Sequence, residues 1–318
     1  MTDSLLDVNG LTVRYAGGRG RAPLTALCDV DLTVAPGETL SVVGESGSGK
    51  STLGNAVLGM VRPAAGTIRF AGEDIGHAGP RRRRQLTQDI QVVFQHPHGS
   101  LNPVRTVGQT LEEPLLAHRT SSRTERRAAV RAALERVRLD ADAAAHYPAK
   151  FSGGQLQRVA IARALMLAPR LLICDEAVSA LDLSMQAQIL NLLRELQEEL
   201  GLSYLFISHD LAVVRHISHR VAVLYRGRVM ESGDVEEVCE RPRHPYTQAL
   251  LAAAPVPDPS RRRRRQVAPE PTGGDAPTGS GCPFRPRCPH RRETCGEPLP
   301  VHTTTTGVVA CHRHPDLA

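Results

Sequence analysis

The chain contains no tryptophan, and aromatic residues make up only 3% of its 318 residues. Surfaces that read single-stranded nucleic acid stack bases on aromatic rings set among basic groups. Neither arginine run, residues 81–84 or 261–265, carries such interleaved rings. Both runs are read as solvated basic faces, and they supply much of the formal charge of +6. No apolar run approaches the roughly 20 residues needed to cross a bilayer. The start, Met1-Thr2-Asp3-Ser4, lacks the basic and then apolar pattern of a secretory leader. The expectation is a cytosolic protein that meets a membrane only through a partner. The seven cysteines are an odd number, which argues against a disulfide framework. What is present is 41% hydrophobic, enough for a core of Leu, Val, Ile and Ala. The length suits one large domain with additions, or two domains.

The chain is organised around Gly44-Glu45-Ser46-Gly47-Ser48-Gly49-Lys50-Ser51-Thr52, which fits the pattern G-x-x-x-x-G-K-[ST]. An apolar run at 39–43 precedes it as a buried strand, and residues 53–60 follow as a helix. Strand, glycine loop and helix form a polyphosphate cradle. Gly44, Gly47 and Gly49 let the backbone approach closely, and the helix N-terminus offers free N–H groups. Lys50 can reach the β- and γ-phosphates, and the Ser51 hydroxyl can ligate Mg²⁺.

Around this core, residues 5–15, 24–34 and 67–70 alternate as strands of a small antiparallel sheet. Tyr15 closes the first; taken alone, a tyrosine at a strand end is more simply structural. Residues 90–94 form an apolar strand ending at Gln95, at the edge where ligands of open α/β sheets bind. There Gln95 can contact Mg²⁺ or the attacking water. Residues 107–147 have helical periodicity, a helical insertion. Ser152-Gly153-Gly154-Gln155 then opens a helix, as a second anion site or as an ordinary cap. The run 170–174 reads as a strand buried on both faces and ends in Asp175-Glu176. Asp175 can hold Mg²⁺ through water, and Glu176 can polarise the attacking water. A turn at 179–182, closing on Asp182, leads into a long helix. The strand at 203–208 places His209 on the same ligand edge. His216 and His219 are read as structural, and Cys174 as a small buried residue. Past residue 243 come a short helix, the second arginine run and a Pro/Gly/Thr-rich linker at 269–281.

Taken in this order, the motifs resemble the nucleotide-binding subunits of ABC transporters, and the resemblance covers about residues 5–240. It implies an α/β P-loop NTPase fold with an antiparallel β subdomain and a helical subdomain at about 96–153, all within 1–240. Residues 241–318 would form a C-terminal extension. The interval from Gln95 to Ser152 leaves no room for the coiled coil of DNA-repair relatives. Val93-Phe94-Gln95-His96-Pro97, Ser100-Leu101-Asn102-Pro103 and His244-Pro245-Tyr246-Thr247 are similar to the oligopeptide/dipeptide importer ATPases. Ala177 departs from the proline usual after the catalytic Glu, and His96 and His98 from the usual Asp and Tyr.

The resemblance implies ATP and Mg²⁺ as cofactors, and Glu176, His209 and Gln95 as catalytic groups. Tyr15 would stack on adenine, Ser152, Gly153 and Gly154 would reach the γ-phosphate held by Lys50 of a second subunit, self or paralogue, and Gln155 and Asp182 would also belong to the nucleotide site. Two separate membrane permease subunits and, indirectly, a solute-binding protein would be partners. The chain would sit at the cytoplasmic face of the membrane. Peptide is the leading cargo; nickel or another small solute, or a soluble ABC-type ATPase acting on nucleic acid, are the alternatives.

Four cysteines, Cys282, Cys288, Cys295 and Cys311, crowd the tail without the C-x₂₋₄-C pair usual for zinc. Metal ligation would hold so polar a segment. An iron–sulfur cluster, zinc with one of His290, His302, His312 or His314, and free thiols all remain open on the spacing. The family resemblance points to a 4Fe-4S cluster. Its distance in sequence from the ATPase motifs suggests a structural or regulatory role.

Overall fold

The computed structural model describes residues 4–17, 23–118, 122–253 and 281–316. The second arginine run and nearly all of the linker lie outside them. Strands β1 (Leu6–Tyr15) and β2 (Leu24–Val34) pair antiparallel. Strand β3 (Thr39–Val43) is buried at every position and leads through the glycine loop into α1 (Lys50–Val57). Next come β4 (Ala65–Phe70), β5 (Glu73–Asp74), α2 (Pro80–Asp89) and β6 (Ile90–Val93). A short α3 (Pro97–Ser100), α4 (Val107–His118) and α5 (Arg123–Arg136) follow. Then come α6 (Gly153–Leu165), β7 (Leu171–Asp175), α7 (Leu183–Leu200), β8 (Ser203–Ser208) and α8 (Leu211–Ile217). Strands β9 (Arg220–Tyr225) and β10 (Arg228–Asp234) lead to α9 (Val235–Glu240) and α10 (Pro245–Ala253). The described tail adds β11 (His302–Thr303) and β12 (Val308–Val309).

Two sheets result. The smaller runs β2-β1-β4-β5, all antiparallel. The larger runs β11-β12-β10-β9-β3-β8-β7-β6. Its centre, β9-β3-β8-β7-β6, is parallel. Strands covered on both faces are mostly apolar: β7 runs Leu171 to Cys174 without a polar residue, and β3 and β8 carry only small buried hydroxyls among their apolar residues. The carboxyl ends of β3, β6, β7 and β8 therefore share one edge, and each is followed by a polar candidate.

The helical insertion folds around α6. Val107, Leu111, Val130, Leu134 and Val137 pack with Leu156 and Val159, and the same core continues into Ile189 and Leu193 of α7. Ser122 opens α5 with a reciprocal cap to Glu125, an arrangement that contributes about 1 kcal/mol. The first arginine run is not a freely solvated face. Arg82 pairs with Glu73 at 2.9 Å, Arg83 donates to the carbonyls of Val57 and Ile75, and Arg84 to that of Ala117. His216 bonds Asn191, and His219 Nδ1 accepts the Thr39 N–H at 2.9 Å. No helix among the described residues is long and apolar enough to cross a membrane.

The tail folds back onto the eight-stranded sheet. Val309 and Val308 of β12 pair antiparallel with Glu231 and Ser232 of β10. Phe284 is buried against Tyr225 and Tyr246. Residues remote in sequence from the glycine loop thus come to lie beside it.

Candidate functional site

The loop after β3 has the conformation its glycines permit. Gly49 has φ +107°, and a Cβ there would meet the Ala26 carbonyl oxygen at 2.6 Å, so only glycine fits. Lys50 is almost fully buried, and its Nζ donates to the carbonyls of Gly44 (2.8 Å) and Glu45 (2.9 Å). Burial lowers its pKa, while the charges of Glu176, Asp175 and Glu45 pull the other way.

Ser51 Oγ donates to Asp175 Oδ1 at 3.1 Å. Burial pushes the Asp175 carboxyl above the usual carboxylate range; the Ser51 bond opposes this, and neighbouring Glu176 adds to it. A half-buried carboxylate beside a hydroxyl is a hard-oxygen donor set of the kind Mg²⁺ takes, and a cation would relieve the cost of its desolvation.

Glu176 is held both by its backbone and by its side chain. Its backbone is left-handed, φ +49°, which costs a non-glycine residue about 1–3 kcal/mol. The turn is held because its N–H donates to the Ile207 carbonyl at 2.9 Å. One carboxylate oxygen accepts Gln95 Nε2 at 2.9 Å, and the other faces His209 Nδ1 at 3.4 Å. Gln95 also reaches Ser179 Oγ (3.1 Å), which in turn donates to the Glu176 carbonyl (3.0 Å). Gln95 is thus bound to both Glu176 and Ser179. Ser179 was legible only as part of a turn.

A cavity of about 740 Å³ opens over the loop, lined by Ser46, Gly47, Gly49, Lys50, Ser51, Thr52 and Glu176. Tyr15 lines it too, with its hydroxyl 3.4 Å from Thr52 Oγ1. Gly281 and Pro283 of the tail complete a wall. Ser152, Gly153, Gly154, Gln155 and Asp182 are not among the residues that line it. Ser152 and Gln155 cap α6 reciprocally, and Asp182 caps α7 through the Met185 N–H at 2.9 Å. The small residues of α6 differ. A Cβ on Gly154 would meet Met185 Cε at 1.8 Å, whereas one on Gly153 meets nothing nearer than Leu181 Cδ2 at 3.8 Å.

These parts form a phosphate-loop cavity, and comparison with known proteins gives the chain a family. Residues 27–179 match the family described as ABC transporter. A probable peptide ABC transporter ATP-binding protein of Sinorhizobium fredii is 46% identical over 98% of this chain and 90% of its own length. The chain belongs to the ABC transporter ATP-binding family. A di/tripeptide transport ATP-binding protein of Pseudomonas aeruginosa is 44% identical, with 98% of each chain covered. A glutathione import ATP-binding protein of Pectobacterium atrosepticum is 50% identical over 83% of this chain, which spans only 43% of that relative's length. Residues 230–295 match the oligopeptide/dipeptide transporter C-terminal region. Among solved structures, a dimeric ATP-binding cassette in a post-hydrolysis state with ADP and Pi aligns with TM-score 0.66 at 32% identity, over 72% of this chain and 98% of that one. A component of an ABC transporter complex from Clostridium perfringens aligns with TM-score 0.67 at 30% identity, over 75% and 92%. The chemistry of this family is ATP hydrolysis, and the P-loop, Asp175 and Glu176 of this ABC ATPase stand in the order that reaction needs.

The four tail cysteines are free, and two of them, Cys295 and Cys311, are buried. Burial pushes the Cys282 thiol up to about 11, with the charges of Cys311, Cys288 and Cys295 adding to it. The backbone N–H groups of Arg292 and Arg313 point at Cys295 Sγ (3.5 Å) and Cys311 Sγ (3.4 Å). The thiols therefore share one neighbourhood. Yet among the described residues no three His, Cys, Asp or Glu side chains form a metal-holding group.

Proposed function

We propose that this chain is the ATP-hydrolysing subunit of an importer for di- or oligopeptides. It would pair with a second ATPase subunit, self or paralogue, and with two membrane permease subunits at the cytoplasmic face of the membrane. A solute-binding protein would deliver cargo to them. The observation that carries the reading is Glu176, held by Gln95 and His209 beside the Ser51–Asp175 pair and above Lys50. The C-terminal match and the peptide-transport relatives support the cargo.

On this reading Lys50 leaves the loop carbonyls to meet the β- and γ-phosphates, and Tyr15 stacks on the base. Ser51 and Asp175, with Gln95 beside them, would hold Mg²⁺, which would supply positive charge against that developing on the phosphates. Glu176 orients the attacking water and takes its proton, while Gln95 and His209 fix the carboxylate. Ser152, Gly153 and Gly154 of one subunit, with Gln155 and Asp182 behind them, close on the γ-phosphate held by the other. The loop after β6 receives the membrane subunits. Uptake of labelled di- and tripeptides into vesicles carrying the whole assembly tests the proposal. ATP-dependent uptake of nickel but not of peptide would overturn the cargo, and ATPase activity tied to nucleic acid instead of vesicles would overturn transport.

For the tail, Cys282, Cys288, Cys295 and Cys311 are proposed to close on a 4Fe-4S cluster, supported by their shared neighbourhood and the backbone N–H groups aimed at sulfur. Iron and acid-labile sulfide in equal amounts after anaerobic purification is the expected result. One zinc per chain, or neither metal, decides against it.

A further inference from the structure

Glu45, the second residue of the glycine loop, is gripped from outside that loop at two points. Arg287, 242 residues away, donates Nη1 to Glu45 Oε2 (2.8 Å) and Nη2 to Glu45 Oε1 (2.9 Å), a two-armed fork. The Tyr246 hydroxyl accepts the Glu45 backbone N–H at 2.9 Å. The guanidinium is itself seated, lying 5.9 Å from the centre of the Tyr225 ring and 5.6 Å from that of Phe284. Those two rings and Tyr246 pack on one another with centres 4.5–5.4 Å apart. The segment that carries Arg287 also supplies Gly281 and Pro283 to the cavity wall.

Two physical consequences follow. A carboxylate on a loop built for polyphosphate repels its ligand unless it is paired, and Arg287 pairs it. A fork also fixes direction as well as distance. The Glu45 carbonyl that holds Lys50 Nζ belongs to the same residue the fork orients. Displacing Glu45 therefore moves the lysine as well.

We propose that Arg287 is a positioning residue for the phosphate loop, acting through Glu45, so that the cysteine-bearing tail sets the affinity of the site for ATP. This rests on the loop binding ATP and concerns binding rather than the chemical step, since Arg287 makes no contact with Glu176, Gln95 or His209.

The test uses the purified full chain and a fluorescent ATP analogue with Mg²⁺, with KM and kcat measured beside it. Arg287→Gln should weaken binding about tenfold, as loss of a charge-assisted fork does. KM should rise in step while kcat stays within about twofold, the pattern of lost uniform binding. The double variant Glu45→Gln with Arg287→Gln should bind no more weakly than Arg287→Gln alone, because both act through one contact. A purely structural arginine would give additive losses, or lower thermal stability with unchanged affinity; either result overturns the proposal. If Arg287→Gln does not fold, Arg287→Lys carries the test. It keeps the charge over the rings but loses one arm, and should cost about threefold in affinity. Unchanged affinity there also overturns it. Failure of the underlying reading looks different: the parent chain itself would bind no nucleotide.

Discussion

At the scale of single residues, the site is a set of polar groups placed by strand ends. That much was legible, because an apolar run buried on both faces must stop where a carboxylate begins, as β7 does at Asp175. What could not be read is how the groups touch. The Gln95–Glu176 bond joins positions 81 apart, and the Glu176 turn has a left-handed backbone that no side chain announces. The contacts give different expectations for neighbouring residues. Glu176→Gln should keep ATP binding and lose about 10²–10⁴-fold in turnover, the usual cost of removing a general base. Single-turnover hydrolysis and nucleotide binding on the same preparation check this, and near-parental turnover would remove Glu176 from its role. Lys50→Ala should weaken ATP binding itself, whereas His209→Ala should lower hydrolysis with affinity kept. An equal loss of affinity in both would contradict the division.

At the scale of elements, β3, β7, β8 and α7 followed from periodicity and caps. Strand β12 did not. Val308 and Val309 form a strand only because β10 offers an unpaired edge, and that edge is set by the whole sheet. The helix α10 docks by burying His244, whose Nδ1 accepts the Tyr246 N–H at 2.9 Å. Only the neutral ring can accept there, and burial pulls the His244 pKa down to about 4. The folded-state value lies below the unfolded value of about 6.5, so the unfolded chain binds the extra proton. This contribution is complete above about pH 6.5 and is lost as pH falls toward 4, by at most about 3 kcal/mol. Glu231, which accepts the His244 N–H at 3.0 Å, runs the other way, because burial raises its pKa and protonation favours the fold. The difference between parent and His244→Asn isolates the histidine. The variant should lose less melting temperature between pH 6.5 and 4, and parallel curves would show that His244 is not the titrating group. A second element-scale contact joins α6 to α3, where half-buried Arg163 donates to the Ser100 carbonyl at 2.6 Å. Arg163→Met should lower ATP-driven uptake in vesicles while the isolated chain still binds ATP. Undiminished uptake would separate that contact from coupling.

At the scale of the whole molecule, one chain holds the phosphate-loop cavity and, apart from it, the glycine-bearing start of α6, which the proposed function assigns to a second subunit's site. Gly153 is the residue that exposes this division. It is the first residue of α6, its backbone is not left-handed, and a Cβ would meet nothing nearer than 3.8 Å, so this chain's own packing does not require glycine there. Gly154 differs, since its Cβ would press on Met185 at 1.8 Å. A carboxylate in the first turn of a helix is favourable by about 0.3–1 kcal/mol. Gly153→Asp should therefore leave the melting temperature unchanged or slightly raised, and leave ATP affinity of the isolated chain unchanged. Against a γ-phosphate brought by a second subunit, the same carboxylate is repulsive and removes the space for close approach. ATP-driven dimerisation and turnover should both collapse, seen by light scattering and phosphate release on the Glu176→Gln and parent backgrounds respectively. A mixed dimer of Gly153→Asp with Lys50→Ala should retain at most one working site, formed by the Lys50 of the first chain and the Gly153 of the second. If Gly153→Asp dimerises and turns over like the parent, the helix start does not face a partner's nucleotide. A loss of melting temperature instead would place Gly153 in this chain's own packing, against the open space measured around it.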